Sequence, residues 1–385
     1  LEVIIPSTIN RVLYALGLAV DVAGDLLVAG ANRDDTMGPG AGAVHVFDRS
    51  SGTWVPFPVV FADDTSGADL FGYKVAVNSG RIYASAPREN ADGMIDSGAA
   101  YVFELVGGVW VQTAKLTPSD AEAGDFFGTS LAADGDTVVV GASRKHGDSV
   151  ARQGAAYVFE FIGGVWTQTA KLTGDVIKGG RFGHSADIDG DVIIIGAPYQ
   201  REGVGGKAGA TYISNRVGGV WGAPAKFTPS DPARGQFFGY DVSVAGTSFL
   251  IGAPGDATAG FRTGAVYLAQ ETAGPGTATQ MLKRTSPTST DADLYGLAVS
   301  LSSTRAGVGS PGYDGAGTPD SGEVNFYDVD LGTPSMTHRT TAAGTAADAA
   351  TGASVAVHET RAAFGTPLDS VHAATGGSAT AVNLA

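Results

Sequence analysis

Residues 181–212 read RFGHSADIDGDVIIIGAPYQREGVGGKAGATY, and this stretch decides the architecture. His184 to Ile188 is short and runs into Asp189-Gly190, a dipeptide that supplies the positive φ values of a type I′ hairpin turn. Asp191 to Ile195 is a β-branched run too short for an ordinary helix. Gly196-Ala197-Pro198 stops it, because proline has no N–H to give to a central ladder. After a loop, Gly209-Ala210-Thr211-Tyr212-Ile213 opens a third strand.

The pattern occurs seven times. Its first glycine stands at Gly17, Gly72, Gly128, Gly183, Gly239, Gly296 and Gly352, at spacings of 55 to 57. A second landmark lies 13 residues on in every copy: Gly30, Ser85, Gly141, Gly196, Gly252, Gly309 and Gly365. A third follows 12 or 13 residues later, at Gly42, Gly98, Gly154, Gly209, Gly264, Gly322 and Gly377. A fourth strand closes each unit, clearest in VWVQTAKL (109–116) and VWTQTAKL (165–172). Four-stranded antiparallel units repeated at this period are the blades of a propeller. The fold class expected is all-β: a seven-bladed β-propeller over residues 1–385, with repeats beginning near 14, 69, 125, 180, 236, 293 and 349.

The two ends of the chain fit a closed ring. The last repeat stops at Val382-Asn383-Leu384-Ala385, after its third strand. Leu1-Glu2-Val3-Ile4-Ile5-Pro6 precedes the first landmark by the distance at which Ala114 to Pro118 precedes the third. Residues 1–7 are therefore expected to complete blade 7, which hides a sheet edge. The rival is donation of this strand to a neighbouring molecule. Toward the C-terminus Phe-Gly decays to Tyr295-Gly296 and Thr351-Gly352, which predicts looser packing in blade 7, and the Ala/Thr/Gly stretch 341–350 reads as a mobile loop.

Composition narrows the function. A net charge of −15, with 39 acidic against 24 basic residues, argues against nucleic acid, which requires a clustered cationic surface. With no cysteine there is neither a disulfide framework nor a thiolate site. No apolar run approaches the ~20 residues of a membrane span, so no membrane insertion is expected. A start at Leu1 points to a removed secretory leader or a trimmed chain, and the lack of any Asn-x-Ser/Thr sequon favours a bacterial source.

Phe182-Gly183 with Gly196-Ala197-Pro198, and Phe238-Gly239 with Gly252-Ala253-Pro254, resemble the FG-GAP repeat of integrin α-type propellers. Phe127-Gly128 with Gly141-Ala142-Ser143 departs by one residue, and GAAYVF at 98–103 and 154–159 is similar to the variety found in secreted bacterial proteins. The resemblance covers all seven repeats and implies the propeller fold, a secreted or cell-surface location and a binding or adhesion role. It raises calcium as well, since some members of the family bind it in a longer Asp-rich loop. Here Asp187 to Asp191 superficially fits, yet Ca²⁺ takes about 6–8 oxygens. A two-residue turn between paired strands does not wrap an ion, and no ligand set is shared between repeats. The expectation is no cofactor and no metal.

The hairpins between first and second strands are short and plain, so binding groups are expected on the opposite face, among the second-to-third loops and the blade connections. The candidates there are Arg88 and Asp92 in blade 2, Arg144, His146 and Asp148 in blade 3, and Tyr199, Arg201 and Glu202 in blade 4. Asp256 and Arg262 in blade 5 and Tyr313 and Asp314 in blade 6 complete the set. Glu89, Asn90, Asp96, Lys145, Arg152, Gln200 and Asp320 lie in the same loops. Mixed charge with an occasional aromatic suits a glycan or a surface protein.

Two further readings stay open: a structural subunit that self-associates through disc faces or edge strands, and a lyase acting on an acidic polysaccharide. The lyase would use the channel-mouth residues Tyr73, Lys74, Thr129, His184, Tyr240 and Asp241. Trp54, Trp110, Trp166 and Trp221 recur at the repeat period, which points to packing between blades, and Asp69, Asp125 and Asp293 read as turn caps.

Overall fold

The computed structural model describes the backbone of residues 2–6 and, in full, residues 15–147, 150–201, 206–272, 274–288, 291–315, 318–344, 347–367 and 377–384. Seven antiparallel sheets follow one another. Blade 4 shows how the sequence dictates each. Ser185–Asp189 and Val192–Ala197 meet at the Asp-Gly turn, with Asp189 opposite Val192. Gly190 takes φ 57° there, as the type I′ geometry requires. Val192–Ala197 then pairs with Ala210–Val217, whose other edge carries Val220–Trp221 and Ala225–Phe227. All six residues of Val192–Ala197 are buried, as a strand covered on both sides must be.

The seven innermost strands touch in cyclic order, and the last of them, Ser354–His358, returns to the first, Leu16–Ala23. Closure is made within the chain: Glu2–Pro6 pairs antiparallel with Ser378–Asn383, from Glu2 opposite Val382 to Pro6 opposite Ser378. The sheet order is the N-terminal strand, then the third, second and first strands of blade 7.

The three glycine landmarks form one joint between neighbouring blades. Gly209 of blade 4 has φ +89° and forms a parallel bridge with Phe238 of blade 5. A Cβ on it would run into the Phe238 carbonyl oxygen, and a Cβ on Gly196 into the oxygen of Gly239. Backbones approach this closely only where no side chain intervenes. The same bridge recurs at Gly42 with Phe71, Gly98 with Phe127, Gly154 with Phe182, Gly264 with Tyr295 and Gly322 with Thr351. Gly365 and Gly377 press in the same way on Gly17 and Leu16, so the seam between blades 7 and 1 uses the ordinary joint.

Between the joints lie seven apolar clusters, and the periodic tryptophans pack across blades as their spacing implies. Trp166 of blade 3 meets Tyr83 of blade 2 edge-on with ring centroids 5.9 Å apart, and Trp110 meets Phe57 of blade 1 at 6.0 Å. Trp54 packs against the cluster that joins blades 7 and 1, to which blade 7 contributes only alanines, Ala356, Ala363, Ala379 and Ala381. A cleft of about 440 Å³ lies there, lined by Trp54, Arg361 and Ala381. The stretch 341–350 departs from the loop expectation at its start. Thr341 to Ala343 belong to strand Ser335–Ala343, held by the backbone ladder and by the Thr341 hydroxyl donating to Asn325 Oδ1 at 2.8 Å.

A second periodic device ties four successive blade connections to the blades that follow them. Asp120 accepts from Tyr157 Oη at 2.7 Å and from Lys171 Nζ at 2.6 Å. Asp175 takes the same two partners in Tyr212, at 2.7 Å, and Lys226, and Asp231 takes Tyr267, at 2.9 Å, and Lys283. Asp64 is joined to Lys115 at 2.6 Å. Replacing Asp120 by alanine leaves a buried phenol without its acceptor and takes one counter-charge from Lys145, whose side chain is only 5% exposed. Asp120→Ala is therefore expected to lower stability by about 1–3 kcal/mol. A urea midpoint equal to that of the wild type would remove this network from the account.

Candidate functional site

Each innermost strand pairs on one side only, so its other edge faces the central channel with N–H groups to satisfy. The fourth residue after each first-landmark glycine meets this need where it is polar. Asp21 accepts the N–H of Val77 in blade 2 at 2.8 Å and that of its own Val22 at 2.8 Å. Asp187 accepts Val244 N–H and Ser243 Oγ of blade 5, both at 2.8 Å, and Ile188 N–H at 2.9 Å. Ser243 accepts Leu301 N–H at 3.0 Å and Ser300 accepts Val357 N–H at 2.9 Å. At the hairpin tips Asp189 accepts Gly246 N–H at 2.6 Å and Asp134 accepts Gly190 N–H at 2.8 Å.

The carboxylates that superficially fit a calcium loop are thus employed as staples between blades, and Asp191 pairs with Arg216. Among the described residues no three His, Cys, Asp or Glu side chains converge on a point. Burial pushes the Asp21 carboxyl up to about 6 and that of Asp187 up to about 7, the negative charge of Asp21 adding to the rise at Asp187. Asp241 is also raised by burial.

The channel holds a cavity of about 340 Å³. Toward the long-loop face it is lined by the residues that follow each first-landmark glycine, among them Tyr73, Lys74, Thr129, His184 and Tyr240. The sequence placed these residues together, and the structure does so. His184 stacks on Tyr199 at 5.8 Å and meets the edge of Tyr240 at 4.8 Å. Burial, with Lys74 and Arg181 nearby, pushes the imidazole down to about 3, and burial raises the Tyr240 phenol to about 12. Both are uncharged at neutral pH. The Nε2 atom of His184 is enclosed without a partner. So weak and enclosed an imidazole is a poor proton acceptor, whereas two neutral polar rings suit contact with a bound ligand.

Around the mouth the structure sorts the long-loop residues into two groups. Glu89, Lys145, Gln200 and Asp256 are buried and hold the scaffold. Asp256 accepts from Lys283 Nζ and Gln236 Nε2, both at 2.8 Å, and Lys145 lies 3.0 Å from Asp125, which also caps its turn by accepting Glu122 N–H. Asp256 is consequently not offered to a ligand. Asn90 and Asp314 each accept the N–H six residues on, fixing their loops.

Arg88, Asp92, His146, Arg201, Arg262 and Asp314 are exposed, and Arg144, Tyr199 and Tyr313 are half-buried. Asp148 and Glu202 lie outside the described residues. The blade 2 to 4 candidates gather on adjoining loops, while Arg262, Tyr313 and Asp314 belong to blades 5 and 6, farther round the ring.

Residues that the sequence reading passed over complete the gathering. The position just before each landmark aromatic takes positive φ in a non-glycine residue: 55° at Phe126, 58° at Arg181 and 57° at Phe237. This costs about 1 kcal/mol or more at each position. Phe126 there carries Arg144, whose Cζ is 4.0 Å from the ring centroid, with Arg88 at 6.0 Å. Tyr199 carries Arg181, with Cζ at 4.6 Å from the ring centroid, and Lys207, with Nζ at 4.8 Å, and meets Phe237 in a T-shaped contact at 5.5 Å. Burial, together with Arg181, Arg152 and Arg88 nearby, lowers the proton affinity of Arg144. The signal was available: these side chains vary at a fixed register beside an otherwise regular Phe-Gly.

The FG-GAP repeat family matches residues 54–103, 110–159, 166–214 and 221–269. Each stretch starts on one of the four tryptophans and ends in the third strand of the next blade, the same offset by which the N-terminal strand completes blade 7. No curated protein matches the chain. Among solved structures it is similar to Saccharomyces cerevisiae Sqt1, with a TM-score of 0.50 and 10% identity over 94% of this chain and 82% of that one. At that identity the likeness concerns the fold alone.

Proposed function

Since the chain belongs to the FG-GAP repeat family, matched over about half its length, we propose that it is an extracellular or cell-surface binding propeller. Its long-loop face engages a glycan or a surface protein. The observation that carries this reading is the cluster of cations and aromatics on blades 2 to 4. Arg88, Arg144, Arg152 and Arg181 make no ion pair among the described residues, whereas Lys115, Lys145, Lys171 and Lys283 on the same side of the ring all do. Cations left without counter-charges on a chain of net charge −15 are costly to gather and useful chiefly to a ligand. Arginine and aromatic side chains together are also what binding surfaces concentrate. No helix among the described residues is long and apolar enough to cross a membrane.

The test is a triple variant, R144A/H146A/R201A. These side chains line no apolar cluster, so the melting temperature is expected to stay within error of the wild type while binding on a glycan array and to cell-surface extracts falls. Unchanged binding would exclude this face. Ordered polymers in the microscope would favour a structural subunit, and unsaturated sugar products absorbing in the ultraviolet would favour a lyase.

A further inference from the structure

We propose that the ligand of this face is an acidic oligosaccharide, a glycan bearing uronic carboxylates, which grips the paired cations with its charges and sets a sugar unit in the channel mouth. The inference rests on the proposal that the long-loop face is the binding face, and it names the chemistry that face selects.

The first argument is the arrangement of the charges. Arg88 and Arg144 come from neighbouring blades to the ring of Phe126, and Arg181 and Lys207 come to that of Tyr199. Each ring therefore holds two cations, and none of the four is neutralised by an ion pair among the described residues. Stacking on a ring fixes the plane of a guanidinium while leaving its N–H edge free, and that edge matches a planar carboxylate two bonds at a time. Two such stations on successive blades suit a ligand that repeats its charge along a chain. The remaining surface, with its excess of acids, repels the same ligand and so leaves it one place to bind.

The second argument is shape. Tyr199 bridges the rim to the recess, because the ring that carries Arg181 and Lys207 is stacked on His184 at the channel mouth. The recess of about 340 Å³ has the volume of a small-ligand site. It is bordered by Tyr73 and Tyr240, whose phenols are of the kind that exchange hydrogen bonds with sugar hydroxyls, whereas the Thr129 hydroxyl is taken up by the backbone of Gly141 and Ser143. A folded protein partner needs about 800 Å² of complementary surface with an apolar centre. Here the centre is a narrow polar hollow, and the flanking aromatic rings are covered by cations. A slender, hydroxylated, anionic chain fits both features.

The experiment is calorimetry of the full chain with a size-defined oligogalacturonate, its methyl ester and poly-L-glutamate. The acidic sugar is expected to bind with an affinity that falls as salt rises. The ester, isosteric but uncharged, is expected to bind at least about tenfold more weakly, and so is the variant R144Q/R181Q toward the acid. R339Q, which alters an outer-strand arginine paired with Asp328, serves as the control and keeps wild-type affinity. Equal affinity for acid and ester, poly-L-glutamate binding as tightly as the sugar, or R144Q/R181Q binding like the wild type would each overturn the inference. If oligogalacturonate does not bind while a neutral glycan or a protein binds in a manner sensitive to R144A/H146A/R201A, the ligand class is wrong and the face stands. If nothing that binds is sensitive to that triple variant, both fail.

Discussion

Gly209→Ala is expected to abolish soluble, cooperatively folding protein or to lower stability by more than about 4 kcal/mol, a loss reserved for a few mechanisms. Two of them combine here. Gly209 sits at φ +89°, where an L side chain is strained whatever the space, and the new Cβ would meet the oxygen and nitrogen of Phe238, backbone atoms that are held by their own ladder. Phe238 N donates to Ala208 O at 2.8 Å and Gly209 N to Gln200 O at 2.9 Å, so relief by displacement breaks the joint between blades 4 and 5. Gly218→Ala is the matched comparison. It too has positive φ, +60°, but nothing lies within 4 Å of its Cβ, so it is expected to cost only about 1 kcal/mol. Urea midpoints of the two variants decide the matter. A G209A protein as stable as G218A would show that the blades are not joined through these glycines.

The fold was legible because this joint imposes itself on every repeat. A close approach of two backbones favours glycine so strongly that, Ser85 apart, the requirement surfaces as a period in the one-letter code, and the Asp-Gly turns and β-branched runs fall between its marks. The offset of the N-terminal strand was legible for the same reason, being the same landmark seen from the other end of the chain. The site was less so. Loop membership can be read from the residue order, and Arg88, Arg144 and Tyr199 were reached that way, but in a single sequence Asp256 and Arg262 look alike. One is buried against Lys283 and Gln236 and the other is exposed. Burial within a loop is set by which connection packs beneath it, a contact some 25 residues distant that no local pattern records. Phe126 and Arg181 were missed because their role depends on a positive φ that non-glycine residues rarely adopt. The carboxylates of the Asp187 to Asp191 stretch were legible as a motif, but their task of supplying acceptors to an edge was not, because that edge exists only once the ring is closed.

That actual task gives the protein an unusual dependence on pH. A carboxyl whose pKa is higher in the folded than in the unfolded chain binds more protons when folded, so stability falls as pH rises between the two values. Asp187 spans 3.8 to about 7 and Asp21 spans 3.8 to about 6. Glu89, raised to about 7 by burial and by Asp69, acts in the same direction. Asp64, Asp120, Asp175 and Asp256 are lowered against the opposing effect of burial, chiefly by their bonds to Lys115, Lys171, Lys226 and Lys283. Their stabilisation is present above the ordinary carboxylate range and is lost only as pH falls below it. The melting temperature should therefore decline from about pH 5 toward pH 8, with His184 and His45, which burial keeps neutral in the folded chain, offsetting part of that decline below the ordinary imidazole range. At about 1.4 kcal/mol per unit, the part of the Asp187 shift that lies above pH 5 amounts to no more than about 2–3 kcal/mol, and contact with channel water reduces it. Asp187→Asn keeps one acceptor oxygen for Val244 N–H and Ser243 Oγ, which share Oδ2, and gives up the bond from Ile188 N–H to Oδ1, while removing the titration. It is expected to lessen the decline between pH 5 and 8 without abolishing it, since Asp21 and Glu89 remain. A wild-type melting temperature that rises from pH 5 to 8, or an Asp187→Asn variant with the full wild-type slope, would mean that these carboxylates do not carry the strain of closing the ring.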